Sequence, residues 1–372
     1  MSKFISKKYE GIEGYVLGEQ PKDRKYIKLN ANESPYPPSP KVLASVTKEK
    51  MLSQKLYADP HNSELTQAIS ECYHVNTDEI FTDGGSDVIL GYLINLFNDN
   101  DHPVCFPDVT YNFYKVCAKT FGIPYEEIPL KGDYTVNVED YISCGKNIIL
   151  ANPNAPTGFV LPPDVIERIV SSNPNNLVVI DEAYVDYGNQ TCIPLIHKYN
   201  NLLVVHTTSK SRNLAGARVG YAISSKEIVA DLNAMKASFN PDSISTLSQA
   251  AGAAAVRDDA YMHENTAKVM RTRDHAYMAF VNLGFDVMKS HTNFLFVSPP
   301  NISASEYTAK LREDGILVRY YNAPRIDRYV RITIGTDEQM DKVLSCTQKI
   351  LQKSECYSPV LLSMRQAAEE SA

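Results

Sequence analysis

Short apolar runs separated by longer helical patterns constrain this chain more than any other feature. The runs Glu79–Thr82, Val104–Phe106, Ile148–Ala151, Leu177–Ile180, Leu202–His206 and Val219–Ile223 are mostly unbroken Val, Ile, Leu and Phe. A strand covered on one face alternates apolar and polar residues, whereas a strand covered on both faces has no need to. Helical stretches lie between the runs, among them Val88–Phe97 and Val165–Val170. The alternation predicts an α/β domain: a mostly parallel sheet flanked by helices on both sides.

A long helical pattern, Tyr261–Leu283, then runs to Gly284, a sensible helix stop. Strand candidates Phe294–Val297, Ile316–Val318 and Val330–Ile334 follow, with helices between them, and predict a smaller α+β C-terminal domain. At 372 residues the chain is long enough for two cores. The expected division is an N-terminal arm over 1–35, a large domain over 36–260 and a small one over 261–372. The arm is polar and aromatic, and the prolines of Asn32–Pro40 make the end of it irregular, since proline removes donors and fixes φ. From Tyr357 onward the chain reads as a short helix or an unstructured tail.

A net charge of −7 argues against nucleic acid as a main partner, because phosphate backbones need a basic surface. No apolar run approaches membrane-spanning length, and the start MSKFISKKYEG lacks the apolar stretch of a signal peptide. The 7 cysteines show no C-x-x-C spacing and no Cys/His cluster, which suits reduced thiols in a cytoplasmic protein and gives no metal site.

Open parallel sheets bind ligands just beyond the carboxyl ends of their strands, and here those ends carry polar clusters. Asp83-Gly84-Gly85-Ser86-Asp87 follows the first run, and Asn152-Pro153-Asn154-Ala155-Pro156-Thr157-Gly158 the third. Asp181-Glu182-Ala183-Tyr184 and Thr207-Thr208-Ser209-Lys210 follow the next two. Gly84 and Gly85 let backbone approach a ligand, and the helix start after them suits a phosphate, although a plain strand–turn–helix with a good cap needs the same residues. Asp181 follows LVVI and should be buried, so it needs a cation or several donors: a protonated pyridine nitrogen, or else a structural salt bridge or a metal, which no His or second carboxylate at a suitable strand end supports. Lys210 ends another buried strand, where desolvation favours the neutral, nucleophilic amine over a merely solvated lysine. Arg218 could hold a phosphate by its fork of donors. Tyr111 could stack on a flat ring or simply pack.

N-P-N-A-P-T-G, then D-E-A-Y, then T-x-S-K with an arginine eight residues beyond the lysine, resembles the fold-type-I pyridoxal-phosphate-dependent aminotransferases. Within that group the chain is most similar to the histidinol-phosphate aminotransferases, through GYVLGEQP from Gly14, KLNANESPYPPSP, LYADP with Tyr57, GILVR and VRITIGT. The similarity covers about Gly14 to Leu351. The resemblance implies transfer of an amino group between histidinol phosphate and 2-oxoglutarate through pyridoxal 5'-phosphate, held by Lys210 as a Schiff base. It implies that Asp181 pairs with the pyridine nitrogen, that Tyr184 and Asn154 bond the phenolic oxygen, and that Tyr111 stacks on the ring. Gly85, Ser86, Asp87, Ser209 and Arg218 would hold the phosphate, joined by Tyr57 from the other subunit of a homodimer with shared sites. Arg331 would bind the carboxylate of glutamate, with Tyr15 and Arg319 on the substrate's distal anion. The chain departs from the usual pattern at Val88, where a glutamate is expected, and at Leu56, Ala155, Thr208 and Asn213. The rival readings are an aromatic amino acid aminotransferase, a lyase resembling a threonine-phosphate decarboxylase, and a cofactor-binding sensor, which would need a DNA-binding segment that the arm is too short to supply.

Overall fold

A computed structural model describes residues 2–356; the residues from Tyr357, expected as a helix or tail, lie outside the described ones. The chain divides into two compact units, one of Met1–Val16 and Tyr36–Ala267, the other of Leu17–Pro35 and the chain from Lys268 onward.

A first short strand, β1 (Ile27–Lys28), belongs to the second unit. The first unit's sheet is built from β2 (Ile80–Asp83), β3 (Val104–Pro107), β4 (Tyr125–Ile128), β5 (Asn147–Ala151), β6 (Val178–Asp181), β7 (Leu202–Thr207) and β8 (Gly220–Ser224). Their order is β2-β8-β7-β6-β5-β3-β4. The pairs are parallel except the two made by β8, which runs against β7 and β2. Every residue of β2, β3, β6, β7 and β8 is buried, as unbroken apolar runs require.

Around this sheet the first unit folds α1 (Pro40–Ser45), α2 (Lys48–Leu52), α3 (Ser63–Tyr73), α4 (Ser86–Leu96), α5 (Phe113–Phe121), α6 (Pro163–Ser172), α7 (Lys226–Phe239) and α8 (Thr246–Arg257). Ile89, Leu90 and Leu93 of α4 and Tyr114 of α5 pack with Phe106, Val179, Leu203 and Ala222 of the sheet. Each such aliphatic side chain stabilises by roughly 1.5–3 kcal/mol on burial. Strand β4 was not expected. Its residues YEEI sit at the sheet edge, where Glu126 and Glu127 pair with Lys146 (3.1 Å) and Lys115 (2.7 Å), so charge hides the strand pattern.

The boundary between units falls inside the long helix α9 (Asp259–Asn282), later than the expected start at Tyr261. The second unit continues with β9 (Asp286–Met288), β10 (Phe294–Ser298), α10 (Ala304–Glu313), β11 (Ile316–Leu317), β12 (Arg319–Tyr320), β13 (Val330–Thr333) and α11 (Asp337–Cys356). An antiparallel sheet runs β12-β13-β10-β9. The run expected as one strand over Ile316–Val318 serves two sheets, with β11 pairing β1 in parallel and β12 pairing β13.

Residues 1–35 are therefore not one arm. Residues 17–35 belong to the second unit because Ile27 N–H donates to Gly315 O (2.9 Å), Leu29 N–H to Leu317 O (2.8 Å) and Thr333 N–H to Leu29 O (3.0 Å). Two paired residues leave almost no periodicity to detect in the sequence.

Candidate active site

The first unit's topology gathers the polar clusters. Register places Asp181 opposite both Ala151 and Val205, and Gly220 opposite both Thr207 and Asp83. Because β8 runs the other way, its first residue meets the last residues of its neighbours. The ends of β2, β5, β6 and β7 and the start of β8 thus form one edge.

Gly85 caps α4 at φ 102°, a conformation that suits glycine. A Cβ there would stand 2.5 Å from Arg218 Nη2, and one on Gly220 would stand 2.4 Å from the Ser86 nitrogen and 2.5 Å from the Gly85 carbonyl carbon. A glycine at the start of α4 and another at the start of β8 therefore let the loop, the helix start and the arginine close on one another. Among the described residues, the main-chain N–H groups of Ser86 and Asp87 have no acceptor. Unpaired N–H groups at a helix start beside a guanidinium make a cradle for an anion such as a phosphate.

Arg218 completes the cradle, its Nη1 donating to Ser209 Oγ (3.4 Å) and its Nη2 to Asp87 Oδ2 (3.1 Å). The other Asp87 oxygen accepts from Tyr111 Oη at 3.0 Å. A carboxylate cannot donate to an anion, so the Asp87 side chain orients Arg218 and Tyr111, and only its N–H is placed to meet a ligand. Tyr111 is half-buried, and Tyr15 meets its ring edge-on with centroids 5.5 Å apart.

Asp181 is 5% exposed. Its Oδ2 accepts from Tyr114 Oη (2.7 Å) and its Oδ1 from Ala183 N–H (3.2 Å). Among the described residues it has no ion-pair partner. Burial pushes its carboxyl up to about 6, and the two hydrogen bonds pull the other way. It is a buried carboxylate that has donors and lacks a cation.

Lys210 follows β7, half-buried, with Nζ 5.9 Å from the centre of the buried Tyr184 ring. The hydroxyls around it tie its loop down. Thr208 donates both N–H (3.0 Å) and Oγ1 (3.1 Å) to Val219 O, and Ser211 Oγ donates to Asp186. Arg212, 5% exposed, pairs with Asp259 (2.7 Å) and donates to Ala255 O and Val256 O.

Asn154 is tied into the surrounding loops. Its Nδ2 donates to Val109 O and Thr157 Oγ1, both at 2.9 Å, and its Oδ1 accepts from Thr110 Oγ1 at 2.7 Å. Both amide hydrogens are engaged within the chain, so Asn154 fastens the loop after β5 to the loop after β3. Tyr57 is 88% exposed.

In the second unit, β12 and β13 set Arg319 directly opposite Arg331. Arg331 Nη2 donates to Asn30 O (3.0 Å) and its guanidinium lies 5.5 Å from the Phe294 ring centre. Its buried Nε has no partner, and among the described residues no carboxylate pairs with it. Arg319 Nη1 donates to Leu17 O (3.0 Å). Like charges at opposed positions cost stability unless an anion joins them.

Sequence reasoning missed four participants. Gly220 was signalled by a glycine inside an apolar strand run, which marks close backbone approach. Tyr114 lies three residues beyond Tyr111, just inside α5, and its N–H donates to Tyr111 O at 3.1 Å. His206 and Glu182 form a fully buried pair at 2.8 Å beneath the site, with no signal beyond their neighbouring strand ends. Among the described residues no cluster of His, Cys, Asp or Glu could hold a metal, and no helix is long and apolar enough to cross a membrane.

A sequence model of the class I and II aminotransferase family matches residues 24–346. The chain is 44% identical to the histidinol-phosphate aminotransferase of Brachyspira hyodysenteriae, over 92% of this chain and 97% of that protein. It is 42% identical to the enzyme of the same name from Clostridium beijerinckii, over 95% and 99%. In fold it matches the crystal structure of histidinol-phosphate aminotransferase from Sinorhizobium meliloti in complex with pyridoxal-5'-phosphate, with TM-score 0.86 at 24% identity over 95% of this chain and 99% of that one. The chain belongs to the class I and II aminotransferase family and, within it, to the histidinol-phosphate aminotransferases.

Proposed function

We propose that this enzyme moves an amino group between histidinol phosphate and 2-oxoglutarate, using pyridoxal 5'-phosphate bound at the edge where β5, β6 and β7 end. The observation that carries the reading is Asp181, a buried carboxylate with two donors and no cation, on the same sheet edge as Lys210. Asp181 would pair with a protonated pyridine nitrogen, which would supply the missing charge. The cradle of Gly85, Ser86, Asp87, Ser209 and Arg218 fits the cofactor's phosphate, Tyr111 fits the face of its ring and Tyr184 its phenolic oxygen, with Asn154 holding the loop.

When bound, the cofactor supplies an aldehyde that accepts amino groups and a ring that withdraws electrons from the substrate carbon. The chain supplies the rest. Lys210 Nζ holds the cofactor at rest and then moves the proton that leaves the amino-bearing carbon. Asp181 keeps the ring nitrogen protonated. Arg331 takes the carboxylate of glutamate, and Arg319 with Tyr15 takes the distal anion. Histidinol phosphate brings a phosphate and no carboxylate, and a guanidinium fork accepts either. The division of labour we infer gives the cofactor to residues 36–260 and substrate recognition largely to 261–372 and the N-terminal segment.

We also read the enzyme as a cytoplasmic homodimer. Tyr57, Leu56, Leu52, Met51 and Leu43 are exposed within one short stretch, and a second subunit would cover such apolar side chains. Amino transfer to 2-oxoglutarate from histidinol phosphate, phenylalanine and tyrosine, measured side by side with carbon dioxide release from threonine phosphate, tests the assignment. Histidinol phosphate should give the largest kcat/KM. Faster transfer from an aromatic amino acid, or decarboxylation, would replace it with that activity.

A further inference from the structure

We propose that Tyr114 is the positioning residue that keeps Asp181 ionised and joins it mechanically to Tyr111. This rests on the cofactor assignment above and adds a residue that touches neither cofactor nor substrate. Tyr114 is fully buried in α5. Its hydroxyl has one partner among the described residues, Asp181 Oδ2 at 2.7 Å, and its ring stands edge-on to Tyr111 with centroids 5.6 Å apart at 85°. Phe106 holds it from another side, with centroids 6.0 Å apart.

Burial raises the Tyr114 phenol well above the ordinary range, so it keeps its proton and acts only as a donor. A donor bonds the ionised carboxylate better than the protonated acid, and so works against the burial that favours the neutral form. Besides Tyr114, among the described residues the carboxylate has only the Ala183 N–H, at the longer 3.2 Å. The group meant for the ring nitrogen and the group meant for the ring face thus lean on the same buried tyrosine. Tyr111 lies just ahead of the α5 N-cap and its carbonyl accepts from Tyr114 N–H at 3.1 Å, so a movement of that helix start shifts both.

Tyr114→Phe keeps the ring and its packing and removes only the hydroxyl. In the cofactor-free protein the Asp181 titration, followed by infrared difference spectra with Asp181→Asn as the blank, should move upward by about one to two pH units. Equilibrium dialysis supplies a second readout. Tyr114→Phe should bind pyridoxal phosphate about tenfold more weakly near neutral pH, by the strength of a hydrogen bond to a charged group. The deficit should shrink as pH rises and Asp181 ionises without help. Deaza-pyridoxal phosphate, which has no ring nitrogen to pair, should bind the native and variant proteins alike. Equal losses for both ligands, or an unmoved Asp181 titration, would overturn the proposal by making Tyr114 a packing residue alone. If the native protein bound neither ligand, the cofactor assignment would fail, while the titration would still decide the role of Tyr114.

Discussion

Replacing Asp181 by asparagine should stabilise the cofactor-free protein near neutral pH while disabling the enzyme. Burial raises the Asp181 carboxyl from 3.8 to about 6. A raised carboxyl pKa contributes stability that is fully present below about 3.8 and lost as pH rises through about 6, because the charge must then form in the folded interior. At about 1.4 kcal/mol per unit, the two-unit rise costs the apoprotein roughly 3 kcal/mol once both states are ionised. Asparagine carries no charge and can still accept from Tyr114, but its amide nitrogen cannot accept from Ala183, a loss of about 1 kcal/mol. The net expectation is an apoprotein about 2 kcal/mol more stable near pH 7.5, falling to about zero near pH 4.5 where native Asp181 holds its proton. Urea unfolding of both cofactor-free proteins at the two pH values measures it. A stability difference that does not change with pH would refute the reasoning, since only the titration of Asp181 links them. The same substitution should lower turnover by about 10²–10³, the usual cost of one preorganised electrostatic group.

Borohydride reduction of the loaded enzyme should fix the cofactor to Lys210, and peptide mapping that found it on another lysine would reassign the site. Gly220→Ala should weaken cofactor retention severely, because the new methyl would overlap the Gly85–Ser86 backbone; dialysis against pyridoxal phosphate shows whether it does. Arg331→Lys should impair turnover with both glutamate and histidinol phosphate by losing the two-pronged geometry while keeping the charge, and Arg319→Ala should chiefly reduce discrimination for the distal anion; wild-type kcat/KM in both variants excludes the clamp. Inactive Tyr57→Phe and Lys210→Ala subunits, mixed into verified heterodimers, should recover part of the activity through one repaired site, and no recovery argues against a shared site.

Most of this was legible where a residue had to satisfy two demands at once. Asp181 stood out because LVVI forces burial and a carboxylate resists it. Lys210 stood out for the same reason at the end of LLVVH, although the tethering of Thr208 and Ser211 was readable only once Val219 and Asp186 were in place. Features that depend on a distant partner left no trace. The two-residue β1 is a strand because Gly315 and Leu317 receive it, and the acidic β4 is one because β3 pairs with it, with Lys115 and Lys146 beside its two glutamates. For Asn154 the sequence hid the neighbours that hold it. A polar residue at a strand end invites a ligand contact, yet Val109, Thr110 and Thr157 had already engaged both ends of its amide.

The pairing of β1 with β11 also fixes an order of assembly during synthesis. Residues 36–267 can complete their own sheet as soon as they leave the ribosome. Ile27 and Lys28 emerge earlier still, but their partners Ile316 and Leu317 come almost a whole chain length later. At synthesis rates of about 5–20 residues per second, that is a wait of roughly 15–60 s. Throughout it the segment 17–35 is tethered to a nascent chain with no strand to join. The second unit thus joins a segment made early, residues 17–35, to strands made late, and a ribosome stalled before Ile316 leaves Ile27 and Lys28 without the strand they pair with.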